Sequence, residues 1–202
     1  MRSLLRKFIR NSHGVASLEF ALVMPLMVVL LYAIYEGSQF VRANMQLANA
    51  ATSIADLIAQ QGAGVTSGPT GVLGNFCRAG QLMMTPFPTV STSGAGAFSV
   101  AMVSVTNYAN TGVTLDWESD KSCAVTATAI GATAKTLATS PTNLLPNAGT
   151  TGTPGDSVII VQATYQYSSV MQYLMPGIFT LSQTAFARPR SNLPVTCGAP
   201  CS

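Results

Sequence analysis

Histidine is nearly absent from this sequence: the 202 residues contain one, His13. It lies among the first fourteen residues, and a chain cut after Gly14 would have none, which would exclude the usual Ser-His-acid and Cys-His nucleophile arrangements and any histidine metal ligand. Charge is scarce as well, at 8% of residues, with a mean hydropathy of +0.37, which does not describe an ordinary soluble enzyme surface. The formal net charge of +3 misleads, because Arg2, Arg6, Lys7 and Arg10 all fall in the first ten residues. From Val15 onward six basic residues stand against seven acidic ones, a net of −1. No basic surface for nucleic acid remains downstream of the tip. There is no P-loop, no GxGxxG after a strand and no internal repeat. After residue 35 no second apolar run of membrane-spanning length occurs.

What is present begins at Val15. Residues 15–35 carry one charge, Glu19. As a helix they extend roughly 31 Å, about the hydrocarbon thickness of a bilayer. Four basic residues precede the run, so the positive-inside rule keeps the tip cytoplasmic and sends everything after Tyr35 outward. A cleaved secretory signal fits less well. The run is too long for an ordinary h-region, and Ile34-Tyr35-Glu36-Gly37-Ser38 is a poor cleavage site.

Glu19 is the anomaly. A charge costs about 2.5–3.5 kcal/mol at the centre of a membrane helix on insertion scales, and less near an end. Glu19 lies one turn into the run, where it could simply reach the interface. If the chain were cut after Gly14, Val15 would carry a new α-amino group and Glu19 would be the fifth residue. The ammonium of a neighbouring copy could then neutralise it.

The helix is expected to continue past the membrane. Phe40, Leu47, Ile54 and Ile58 recur at steps of seven and four, with Ala43, Ala51 and Leu57 on the same face and Arg42, Asn49 and Gln60 opposite. Gln61-Gly62 is a good stop. This predicts one helix of about 45 residues, half in lipid and half on a globular head.

Beyond Gly62 the composition turns to Gly, Ser, Thr, Ala and Val. Residues 62–71 read as a loop and 71–83 as a short helix. Strand patterns occupy 97–105, 113–118, 123–130, 157–167 and 177–187. Residues 138–156 read as a long loop. A short segment at 170–174 precedes a Pro176-Gly177 turn. The expected fold class is α+β: a long N-terminal helix, transmembrane in its first half, packed on a small antiparallel sheet. The segments are a basic leader at 1–14, a span at 15–37, an amphipathic extension at 38–61, a head at 62–190 and a Cys/Pro-rich tail at 191–202.

The sequence "G-VASLEF-ALVMPLMVVLLYAIYEGSQF" resembles the N-terminus of a type IV prepilin, and more closely the TadE-like minor pseudopilins of Tad/Flp pilus systems. It supplies Gly14, Glu19-Phe20-Ala21-Leu22, Pro25 and a second acid, Glu36. The resemblance covers residues 14 to about 37, with a looser similarity at "TLSQTAFARPR". It implies cutting by a membrane aspartyl prepilin peptidase between Gly14 and Val15, where a residue without Cβ lets a protease approach the backbone. The bland alternative for Gly14 is a flexible joint. Glu19 and Phe20 would serve N-terminus pairing and assembly. Pro25 removes one N–H and leaves the Ala21 carbonyl without its helix partner, so a kink is expected there, or a merely tolerated membrane proline. The implied location is the inner (cytoplasmic) membrane, single-pass, with a periplasmic head that could join a pilus. The implied partners are the prepilin peptidase, other pilins or pseudopilins and the pilus assembly platform. No enzyme activity, cofactor, metal or nucleic acid is implied. The alternative is a plain single-pass anchor carrying a periplasmic binding or enzymatic domain, which needs neither Gly14 nor Glu19.

Cys77, Cys123, Cys197 and Cys201 all lie outside the span. In a periplasmic head they can form disulfides, with three possible pairings that spacing does not settle. Cys77 with Cys123, and Cys197 with Cys201, is the favoured set. A redox role for "CGAPC" and a four-thiolate zinc site fit the spacing less well. Asp116, Glu118 and Asp120 cluster around Trp117. They could do acid–base work or collect a cation, but a solvated strand end is the simpler expectation, with Trp117 in the core or at a subunit contact.

Overall fold

The computed structural model describes residues 15–62, 64–89, 91–141, 143–169, 176–191, 193–198 and 201. Gly14, the leader and the 170–174 segment lie outside them. The chain divides into two compact units, Met1–Val41 and Arg42–Ser202.

Helix α1 runs from Val15 to Ala59 with Pro25 inside it. In the first unit it is the only described element. In the second unit its remaining turns are a core element. Ala43, Leu47, Ala50, Ala51, Ile54, Ala55 and Ile58 are all fully buried. These positions form one face at steps of three and four. Their small alanines let the helix lie close to a sheet. Phe40, expected on this face, is instead 38% exposed and belongs to the first unit.

The sheet has four antiparallel strands in the order β3-β2-β4-β5: β2 (Phe98–Tyr108), β3 (Gly112–Ser119), β4 (Ser157–Ser168) and β5 (Ile178–Ala187). Alternation explains the face towards α1. Phe98, Val100 and Met102 of β2 join Ile159, Val161, Ala163, Tyr165 and Tyr167 of β4 and the buried face of α1 in one cluster. The other face is also covered. Ala101, Val103, Val105, Val158 and Ile160 pack with Ile130, Ala134, Ala138 and Leu145. The long helix over an antiparallel sheet is therefore the expected α+β arrangement, with a second layer that the alternation of β2 and β4 alone did not announce.

That layer is helix α3 (Gly131–Thr139), and the segment leading into it departs from the expected strand. Residues 123–130 form bends and coil rather than a strand. The Ala127 N–H folds back to the Asp120 carbonyl at 2.8 Å. Their β-branched residues raise strand propensity, but propensity yields to context. The helix that follows starts on a Gly and holds three Thr among its nine residues, all poor helix formers. Only Ala134 and Ala138, four apart and buried, carry its pattern.

Helix α2 (Val72–Met83) lies where the short helix was expected. Its first N–H, at Val72, is satisfied by Thr66 Oγ1 at 3.0 Å from the two-residue strand β1 (Val65–Thr66). Gly80 sits against both α1 and β2. A Cβ there would lie 2.7 Å from Ile54 Cδ1 and 3.2 Å from Phe98 Cζ. β1 pairs in parallel with β6 (Cys197–Gly198), so this stretch of the tail is docked on the head.

Candidate functional site

From Leu18 to Leu31 the apolar side chains face outward on every side of α1. Phe20 is 69% exposed, and from Leu22 to Leu31 every residue is exposed. Successive helical residues point about 100° apart, so an unbroken exposed run means that no face is covered. The most apolar window has a mean hydropathy of 2.2, and none of it is buried. Glu19 is exposed at the start of this segment. Glu36, the second acid, is buried. Pro25 lies within the continuous helix.

The acidic residues of the head are placed differently from a solvated strand end. The β2–β3 register slips between Ser104 and Val105. Ser104 pairs with Trp117 and Val105 with Leu115, which leaves Asp116 as the extra residue of a bulge. Asp116 Oδ2 accepts from Ser104 Oγ at 3.1 Å and from Thr106 Oγ1, and its Oδ1 accepts from the Tyr108 hydroxyl at 2.9 Å. Burial first, then the bond and charge of Asp116, push the Tyr108 phenol above its ordinary value. Glu118 Oε1 accepts the N–H groups of Ile130 at 2.6 Å and Gly131 at 2.9 Å. It thus places a carboxylate on the positive end of α3, whose own cap residue supplies no side-chain bond. A Cβ at Gly131 would meet Glu118 Oε2 at 2.5 Å. Trp117 is buried and donates from Nε1 to the Val195 carbonyl at 2.7 Å, which ties the tail to the sheet. These side chains hold the head together. Sequence spacing groups 116, 118 and 120, but the bulge separates their roles, and no local signal in the sequence marks it.

Cys77 of α2 is joined to Cys123 in a buried disulfide, and the sulfurs of Cys197 and Cys201 lie against each other. Among the described residues no group of three His, Cys, Asp or Glu side chains is placed to hold a metal. A groove of about 370 Å³ lies between the 147–157 and 188–193 segments. Its charged residues are already engaged: Arg188 Nη1 lies 4.0 Å from Asp156 Oδ1. Asp156 Oδ2 accepts from the Asn147 backbone at 3.0 Å, and Arg188 Nη2 donates to the Leu144 carbonyl at 2.6 Å.

Residues 14–56 match the family model of TadE-like proteins. The N-terminal helix is TadE-like. The match covers most of α1 and ends before the sheet begins. No curated protein and no solved structure matches the chain. The TadE-like segment points to a role in Tad pilus assembly and to association with a membrane through α1.

Proposed function

We propose that this protein is a minor pseudopilin of a Tad-type pilus, processed by a prepilin peptidase and acting through helix packing. The observation that carries the proposal is the TadE-like α1, apolar and exposed on all sides from Leu22 to Leu31. Such a surface needs lipid or other helices around it.

In this reading residues 1–14 stay cytoplasmic, 15–37 span the inner membrane, 38–61 extend the helix, 62–190 form a periplasmic head and 191–202 are its tail. The peptidase cuts between Gly14 and Val15. The new ammonium at Val15 meets Glu19 of an adjacent subunit, and Phe20 packs beside the pair. In low dielectric the paired state is strongly preferred to two lone charges. Packing neighbours re-satisfy the carbonyl of Ala21 that Pro25 leaves open. The assembly platform and other pilins are the partners, and an oxidising periplasm keeps Cys77 bonded to Cys123 and Cys197 to Cys201.

The test is Glu19→Ala in the native host. The variant is expected to insert at normal protein levels and to fail in pilus incorporation. Normal piliation at normal levels would remove Glu19 from the mechanism and leave a simple anchor.

A further inference from the structure

The tail fastens to the head at a few adjoining points. The Trp117 indole donates to the Val195 carbonyl at 2.7 Å, and the Val65 N–H donates to the Thr196 carbonyl at 2.8 Å. β6 pairs with β1 through Val65↔Cys197 and Thr66↔Gly198. Val195 is buried with Val65 and Trp117 in the cluster between α1 and the sheet. The approach is close, since a Cβ at Gly64 would lie 2.6 Å from Thr196 Oγ1. Residues 195–198 thus form a lid over the Trp117 indole and the edge of β1. A terminal segment held by a few backbone bonds and one apolar side chain opens readily unless something else ties it down.

Cys197 and Cys201 are that tie. Both pack against the same cluster. Their bond, at a separation of four residues, fastens position 201 back onto the docked strand. The two disulfides of the head differ in access. Cys77 and Cys123 are 2% and 5% exposed. Cys197 and Cys201 are only half-buried. In thiol–disulfide exchange a thiolate must reach a sulfur, so access decides which bond is cut first.

We propose that the Cys197–Cys201 pair is a redox latch: a dithiol reductant opens it, and the tail then lifts from Trp117 and β1 while the rest of the head keeps its fold. One thiolate of the reductant attacks a sulfur of the pair and forms a mixed disulfide. The second thiolate resolves it, which leaves Cys197 and Cys201 as thiols and the reductant as a cyclic disulfide. The two protons of the dithiol end on the two cysteines. The pair is the target of this exchange, not its catalyst. Opening uncovers the Trp117 indole, Val195 and the backbone groups of β1, an apolar patch with unpaired strand donors and acceptors.

The experiment uses the full chain, oxidised and folded in detergent micelles, titrated with dithiothreitol. Free thiols are alkylated and located by peptide mass mapping. Acrylamide quenching of Trp117, the one tryptophan of the sequence, reads whether the tail covers it. Cys197 and Cys201 are expected to be alkylated at a reductant concentration about tenfold or more below that needed for Cys77 and Cys123. Over that interval the quenching constant is expected to rise severalfold with unchanged far-ultraviolet circular dichroism. Cys197→Ala with Cys201→Ala is expected to show the raised quenching without reductant. Alkylation of all four cysteines together overturns the latch, as does alkylation of 197 and 201 before any reductant is added. Early alkylation of 197 and 201 with Trp117 still protected also overturns it, and so does a double variant as protected as the oxidised chain.

Discussion

Leu22 is 75% exposed and Leu47 is fully buried, though both are leucines on one helix. The two halves of α1 thus show what surrounds each of them. The second half carries a face of small and branched residues fitted to the sheet of its own chain. From Leu22 to Leu31 the first half is apolar and exposed on every face. A sheet-packing helix needs one apolar face, whereas a helix immersed in lipid needs all of them. The TadE-like match extends over both halves to residue 56.

The contrast breaks most plainly in the core. Ile54→Ala removes a fully buried side chain that touches the Gly80 approach. It is expected to cost the head about 2–5 kcal/mol. Leu22→Ala is expected to leave the head's unfolding midpoint unchanged, because that side chain has no partner in the head. Denaturant titration of both variants, followed by Trp117 fluorescence, makes the comparison.

The disulfide sharpens it. Cys77 and Cys123 are 46 residues apart. A loop of that length is worth about 4 kcal/mol in the chain-entropy account, and loss of a native disulfide typically costs about 2–5. Cys77→Ala with Cys123→Ala is expected to lower the head's stability by such an amount while leaving membrane insertion of the chain intact, as measured by carbonate extraction.

The smallest expected effect is alkaline. The phenols of Tyr108 and Tyr165 are both raised above the ordinary value of about 10, chiefly by burial. A raised phenol keeps its proton in the fold at a pH where the unfolded chain loses it. The stability it contributes is therefore complete below about pH 10 and falls as pH rises through the folded value. The urea midpoint of the head is expected to hold from neutral pH to about 10 and then to decline, less steeply in Tyr108→Phe.

Much of this was legible in the sequence. The long helix showed in its apolar run and in the steps from Leu47 to Ile58. β4 showed in the alternation of Ile159, Val161, Ala163, Tyr165 and Tyr167. α3 did not, because Gly131, Thr133 and Thr136 argue against a helix and only burial on the second face of the sheet stabilises it. Glu118 looked like one of a cluster of acids, yet its role depends on a helix that begins thirteen residues later, a tertiary fact with no local trace. Glu19 drew notice at once, since a carboxylate in an apolar run stands out without any structure.

The account depends most on whether Val15 becomes an N-terminus, because only then does Glu19 gain an ammonium to meet. Intact mass and N-terminal peptide sequencing of the protein purified from its native membrane would decide this. A chain that begins at Val15 is the predicted result. A chain that still begins at Met1, in cells with an active prepilin peptidase, would contradict the proposed processing and reduce α1 to an anchor.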